Sequence, residues 1–173
     1  EAASAGKTIE TGGAFSKRSM GGGGTGAQTV LSLASMTRVL EYEPNDLTIS
    51  VEAGLKWKAF QELLAANGQM VPLDPPYYDD ATVGGVLAAN TSGPRRRLYG
   101  SVRDAVIGMK FATVSGEIIQ SGGMVVKNVA GLDIGKLMIG SFGTLGVIGQ
   151  VNFKLTPIPP ASVVRFNTPT GAP

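Results

Sequence analysis

The chain has 173 residues, 43% of them hydrophobic, with 15 basic and 13 acidic side chains and a net charge of +2. That length and apolar content suit one compact domain or two tightly fused lobes. No cysteine and no histidine occur. Their absence excludes disulfides, thiolate metal sites, a cysteine nucleophile, a Ser-His-Asp triad and most zinc sites, and it removes the usual general base near neutral pH. Chemistry must therefore come from a bound group, or from carboxylates, lysine, tyrosine and backbone. The charge is nearly balanced, and the single basic run, Arg95-Arg96-Arg97, has no aromatic ladder beside it, which argues against nucleic acid. No apolar run has the length to span a bilayer and no signal-peptide pattern opens the chain, so the expectation is a soluble, cytoplasmic protein.

In chain order, residues 1–7 are small and polar, and Thr8 to Glu10 reads as a short strand. Gly12 and Gly13 follow it, and their backbone N–H groups can form a nest for a phosphate. The later run Gly21 to Gly24 reads as a flexible loop. Thr29 to Leu33 is a strand, Met36 to Leu40 starts another element, Pro44-Asn45-Asp46 is a turn and Leu47 to Ala53 a strand. Trp57, Phe60, Leu63 and Leu64 fall at helical spacing, so Lys56 to Ala66 is an amphipathic helix ended by Asn67-Gly68, with Trp57 in its core or rim. Val71 to Pro76 is extended, because its prolines suit neither helix nor central strand.

The stretch from Ala81 to Gly149 holds 14 of the 25 glycines, interleaved with Val, Ile, Leu and Ala. An apolar, glycine-dense segment points to packed backbone with side chains removed where something lies against it, here a large ligand. Thr82 caps a short helix carrying Gly84 and Gly85 in its first turn, and the N-terminal amides of that helix favour an anion. Ala105 to Val114 and Glu117 to Ser121 form a hairpin about a two-residue turn, Ser115-Gly116. Met124-Val125-Val126 extends the sheet, Lys127 to Gly131 is a loop, and Ile134 to Ile139 a short helix or turn. Thr144 to Leu155 is the longest strand, with Leu145, Val147, Gly149, Val151, Phe153 and Leu155 on one face. Arg95 and Arg96 read as surface charge, Arg103 as a partner for Asp104, Asp133 as a helix cap, and Tyr77, Tyr78 and Tyr99 as rim residues. The residues alone lead to a two-sided crevice with phosphate-accepting backbone, and they do not name its ligand.

Several motifs in that stretch resemble a known family. Thr82-Val83-Gly84-Gly85, Ala89-Asn90-Thr91-Ser92-Gly93-Pro94 and Tyr99-Gly100-Ser101-Val102-Arg103-Asp104 occur in order. Val126-Lys127-Asn128-Val129-Ala130-Gly131 and Gly140-Ser141-Phe142-Gly143-Thr144-Leu145-Gly146-Val147-Ile148 follow. Together they resemble the FAD-binding domain of the vanillyl-alcohol oxidase/p-cresol methylhydroxylase flavoproteins, and within them the FAD-binding subunits of bacterial glycolate oxidases, over about residues 7–160. The resemblance implies an α+β, two-lobed PCMH-type FAD-binding domain with mixed and antiparallel sheets and flanking helices. Lobe one would span about 1–76, lobe two about 77–160, and 161–173 would be a tail, with no cap domain for substrate.

The same resemblance implies non-covalent FAD, since the usual covalent anchors, histidine and cysteine, are missing. Gly12, Gly13, Ala14, Phe15, Ser16 and Lys17 would form the first pyrophosphate turn. Pro75, Thr82, Gly84 and Gly85 would lie along pyrophosphate and ribityl, and Ala88, Ser92 and Gly93 near the flavin, with Arg97 and, in the family's Gly-Ser-x-Arg-Asp stretch, Asp104 as further cofactor-binding residues. Gly143, Gly146, Val147 and Ile148 would line the adenine and ribose. The sequence departs from the family at Leu132, where a tyrosine often stands, and at its start, which looks shortened. The implied function is the FAD-binding subunit or module of a 2-hydroxy-acid dehydrogenase or oxidase of the glycolate or D-lactate type. The alternative is a non-catalytic electron-transfer or structural flavin subunit. Expected partners are FAD, a small 2-hydroxy acid, a larger flavoprotein subunit and an iron–sulfur subunit, through which the chain would sit peripheral to a membrane.

Overall fold

The computed structural model describes residues 4–22, 26–124 and 134–161. Expectations placed on Gly23 and Gly24, on 125–133 (the strand extension, the Lys127 to Gly131 loop, Leu132 and Asp133) and on the tail beyond 161 lie outside the described residues.

Strand β1 (Ile9–Gly12) is followed by a 3-10 turn (Arg18–Gly21) and by β2 (Thr29–Ser32), and the two strands pair in parallel, Ile9 opposite Thr29 and Gly12 opposite Ser32. Then come β3 (Val39–Glu43), a 3-10 turn (Pro44–Asp46), β4 (Thr48–Glu52), α1 (Trp57–Ala65) and β5 (Gln69–Met70). Three short helices follow, α2 (Val83–Ala88), α3 (Arg96–Tyr99) and α4 (Val102–Ala105). The hairpin β6 (Val106–Ala112) and β7 (Ile118–Gly122), α5 (Gly135–Met138), β8 (Val147–Lys154) and β9 (Thr156–Pro157) complete the order. The main sheet is five-stranded and antiparallel, in the order β3-β4-β8-β6-β7, and β5 pairs with β9. This sheet joins strands from both sides of residue 77, so the division expected there is not a division between sheets.

The core forms where α1 lies on one face of that sheet. Its buried Trp57, Phe60 and Leu64 are spaced to lie on one stripe of a helix. Trp57 and Phe60 meet edge to face at 5.6 Å, and Phe60 and Phe153 of β8 at 5.3 Å, which closes an aromatic cluster over Ile49 and Val51 of β4. Trp57 is thus a core residue. All five residues of β4 are buried, although the sequence alternates, because β4 is flanked by β3 and β8 and its polar face is filled by Ser50, Asn152 and Gln150 bonded to one another.

Two local expectations change. The β6–β7 loop has three residues, not two. Thr113 N donates to Glu117 O, Gly116 N donates to Thr113 O, and Gly116 takes φ 90°, the left-handed position that ends a type I turn in such hairpins. In β8 the alternation breaks at Gly149. Lys110 faces Gln150 while Phe111 faces Ile148, so Gly149 is an extra, bulged residue. The bulge reverses the parity of the strand: Ile148, not Val147, enters the core, at 5% exposure.

Removing the Phe153 ring should cost about 3–5 kcal/mol, the usual range for an aromatic-to-alanine change in a packed core. Phe153→Ala is expected to lower the urea midpoint accordingly, and an unchanged midpoint would contradict the aromatic cluster as the centre of the core.

Candidate functional site

A cleft of about 390 Å³ opens between the small β1–β2 unit and the main body. One wall is the turn after β1. The floor is α2, and the far wall is the segment from Phe142 to Ile148. The structure therefore brings together fourteen of the nineteen positions expected at the cofactor: the turn Gly12 to Lys17, then Thr82, Gly84, Gly85 and Ala88, and then Gly143, Gly146, Val147 and Ile148.

Local chemistry explains the floor. Thr82 is extended (φ −106°, ψ 157°) and its Oγ1 accepts from Gly85 N at 3.3 Å, the N-cap expected for α2. The other first-turn amides are not available to an anion, contrary to expectation. Val83 N donates to Leu55 O at 2.9 Å and Gly84 N to Ala53 O at 2.7 Å, so the chain leaving β4 already occupies them. A Cβ on Gly85 would meet only Thr82 Oγ1, at 3.2 Å, so this position faces open cleft. By contrast, a Cβ on Gly13 would come to 2.5 Å from Thr82 Oγ1. Gly13 lets the first wall touch the floor.

Donors without a partner among the described residues lie instead on the turn after β1. The N–H groups of Gly13, Ala14, Phe15, Ser16 and Lys17 find no acceptor among the described residues, which leaves a row of donors along the cleft. Lys17 is 8% exposed, and its Nζ has no hydrogen-bond partner among the described residues. It lies 6.0 Å over the Tyr77 ring, and burial pulls its pKa below the ordinary 10.5. Arg18, next in sequence, is different. Its guanidinium is paired with Glu10, Nε donating to Oε1 at 2.6 Å, and sits 5.5 Å over the Phe15 ring. The hydrogen bond from Arg18 holds the Glu10 carboxyl below its usual range. Among the described residues, Lys17 is therefore the cation on this wall with no counter-charge.

Five expected positions are not on the cleft wall. Pro75 is buried in the extended segment after β5. Ser92 is buried with its Oγ accepting from Val102 N at 3.1 Å, and Gly93 packs on the backbone of Asp74. Arg97 is exposed on α3. Asp104 closes a capping box on α4, its Oδ2 accepting from Ser101 N at 2.7 Å and Ser101 Oγ at 2.8 Å. These groups shape the 92–104 segment. Conversely, Glu10, Thr11, Arg18, Gly21, Gly22 and Phe142 line the cleft without having been singled out. Gly21 and Gly22 read as loop, and nothing in the sequence marks Phe142 apart from its glycine neighbours. Among the described residues no cluster of acidic side chains could hold a metal ion, and no helix is long and apolar enough to cross a membrane.

Comparison with known proteins gives a consistent picture. The model of a family described as an FAD binding domain matches residues 1–122. Glycolate oxidase subunit GlcE of Escherichia coli is 42% identical over 126 residues, covering 72% of this chain and 36% of that protein. D-2-hydroxyglutarate dehydrogenase of Xanthomonas citri is 35% identical over 83% of this chain and 30% of its own length. Mitochondrial cytochrome-type D-lactate dehydrogenase of Arabidopsis thaliana is 37% identical over 81% and 24%. The chain thus spans between about a quarter and just over a third of these relatives. A solved structure of alkyldihydroxyacetonephosphate synthase superposes with a TM-score of 0.77 at 23% identity, over 92% of this chain and 29% of the other, which places the fold.

The capping box on α4 yields a pH-dependent expectation. The two Ser101 donors hold Asp104 below its ordinary pKa of 3.8, so the stability it contributes is present above that value and fades as pH falls through the lowered one. Asp104→Ala should cost about 1 kcal/mol or less near neutral pH, as for an exposed cap. The difference from the parent chain should shrink in acid as pH falls through that lowered value. A difference that grows in acid would contradict the capping role.

Proposed function

We propose that this chain, which belongs to the FAD binding domain family, holds FAD non-covalently in the cleft under its β1 turn and serves as the flavin module of a 2-hydroxy-acid dehydrogenase or oxidase. The observation that carries the reading is the Lys17 ammonium, buried and unpaired beside a row of free backbone donors. An uncompensated buried charge is costly, so its retention is best explained by an anionic ligand that completes the site. A pyrophosphate fits that donor set, and the opening at Gly85 leaves room for the chain attached to it. The cleft volume also falls within the range of roughly 300–1,000 Å³ usual for cofactor sites.

FAD, when bound, supplies two-electron acceptance from substrate. The chain's own residues bind and orient: the amides of Gly13 to Lys17 and the Lys17 ammonium take the phosphates, while Thr82 and Gly85 shape the floor beneath them. With no histidine in the chain, no general base is assigned. The substrate class follows from the relatives, which act on glycolate, D-lactate or D-2-hydroxyglutarate by their names. A second reading makes the chain a non-catalytic flavin or electron-transfer subunit. The subunit status of the E. coli relative favours placing it in a complex, with a larger flavoprotein subunit and an iron–sulfur subunit as partners.

The first test is the absorption spectrum of the purified chain after incubation with FAD and gel filtration. Flavin bands that co-elute, and are released intact by heat, are expected, and Gly85→Leu should abolish them by filling the cleft. A colourless parent chain would sink the reading. Lys17→Met separates binding from folding. Removing the unpaired charge should leave the apo chain as stable or more stable, while FAD affinity falls about tenfold to a hundredfold, the worth of a charge-assisted hydrogen bond. Because burial lowers the Lys17 pKa in the apo chain and an anion restores it, affinity should also fall as pH rises through that lowered value. Loss of apo stability in Lys17→Met, with affinity unchanged, would contradict the assignment.

A further inference from the structure

Two aromatic residues on the cleft wall hold left-handed backbone angles, Phe15 at φ 54° and Phe142 at φ 51°. Such angles carry a steric cost for any residue with a Cβ and persist where the surroundings impose them. For Phe15 the surroundings account for the ring, which lies against Gly12 and beneath the Arg18 guanidinium. Phe142 is different. The residue remains 43% exposed, although its backbone is tied down on both sides. Phe142 N donates to Ala88 O at 2.9 Å, Gly140 N to Leu87 O at 3.0 Å, and Gly143 N to Ser141 Oγ at 3.3 Å. Gly21 packs against one side of it, where a Cβ would come within 3.3 Å of the ring edge. The backbone beneath the ring is thus fixed at the cleft wall, Gly21 covers one side of the ring, and much of the residue remains uncovered.

Its place along the floor is informative. Phe142 is bonded to the last residue of α2. Lys17 lies at the other end, over Tyr77, whose carbonyl accepts Ala81 N just ahead of the Thr82 cap. The six residues of α2 separate the two ends by about 9 Å at 1.5 Å per residue. An anion-accepting end and an aromatic end at that spacing match a phosphate joined through a ribose to a base. We infer that the Phe142 ring is the stacking platform for the purine base of the bound nucleotide, and so a positioning residue for the cofactor. The inference rests on the reading of the cleft as the FAD site and adds the residue that meets the base. A hydrocarbon ring offers a π-face and no hydrogen bonds, so it contributes affinity for a flat base without reading its edge.

The test compares the full chain with Phe142→Ala and Phe142→Tyr, titrated by calorimetry with FAD, ADP and inorganic pyrophosphate. Alanine retains a Cβ at the same φ, so the backbone cost is unchanged, and melting temperatures check the fold. Phe142→Ala should weaken FAD and ADP about tenfold or more, the usual scale for loss of one stacked base. It should leave pyrophosphate within about twofold, and Phe142→Tyr should restore FAD and ADP. FAD and ADP affinities unchanged in Phe142→Ala, or an equal loss for pyrophosphate, would overturn the stacking role. A parent chain that binds ADP but not FAD would overturn the flavin reading while ADP still decides the role of Phe142. A parent chain that binds neither would overturn both.

Discussion

The short ladder between the end of β4 and the start of α2 is the constraint on which the site depends. Ala53 donates to Gly149 O in β8 and accepts from Gly84, and Leu55 accepts from Val83, so one turn of chain welds the main sheet to the cleft floor. The same turn receives the segment that leads in from β2. A Cβ on Gly54 would collide with the carbonyls of Leu33 and Met36. Arg38 donates three hydrogen bonds to the Glu52 carboxylate at 2.7–3.0 Å, while its own carbonyl accepts Glu52 N. The β1–β2 unit is anchored there, which positions its turn over α2 and leaves the cleft between.

The electrostatics of the cleft follow from which charges are neutralised within the chain. Glu10 satisfies Arg18 and Glu52 satisfies Arg38; both arginines are exposed, while the Glu52 carboxylate is buried in the sheet. Among the described residues of the cleft wall, Lys17 is the buried cation with no carboxylate or hydrogen-bond partner, its Nζ lying over the Tyr77 ring, and burying it there carries a desolvation cost. The five successive amides from Gly13 to Lys17 find no acceptor among the described residues, and buried backbone donors are ordinarily satisfied by protein, water or a ligand.

The glycine-rich pattern was the strongest signal in the sequence, and its meaning changed with the fold. It was legible that something must approach the backbone closely between Ala81 and Gly149. At Gly84 the approaching group is the Cβ of Ala53, at Gly146 the carbonyl of Ala112, and at Gly143 the hydroxyl of Thr11. Most of these glycines let one strand or wall of the protein cross another, and Gly85 is the one whose missing side chain opens the cleft. The local pattern shows that a Cβ is absent, whereas the identity of the neighbour depends on contacts between residues far apart in the chain.

Local order sufficed for the elements governed by short-range chemistry. The α1 stripe at Trp57, Phe60 and Leu64, the Thr82 cap and the proline-bound segment after Met70 all follow from side-chain spacing and backbone limits, and the ordered motifs from Thr82 to Ile148 carried the family. What only the tertiary structure decided were features that depend on register and on distant partners. The Gly149 bulge moved Ile148 into the core, because pairing with Lys110 and Phe111 sets the parity of β8. The α2 amides were already taken by carbonyls some thirty residues away. Asp104 turned to its own helix while Lys17 was left unpaired and Phe142 uncovered, because charge compensation and burial are properties of the assembled chain and not of any stretch of it.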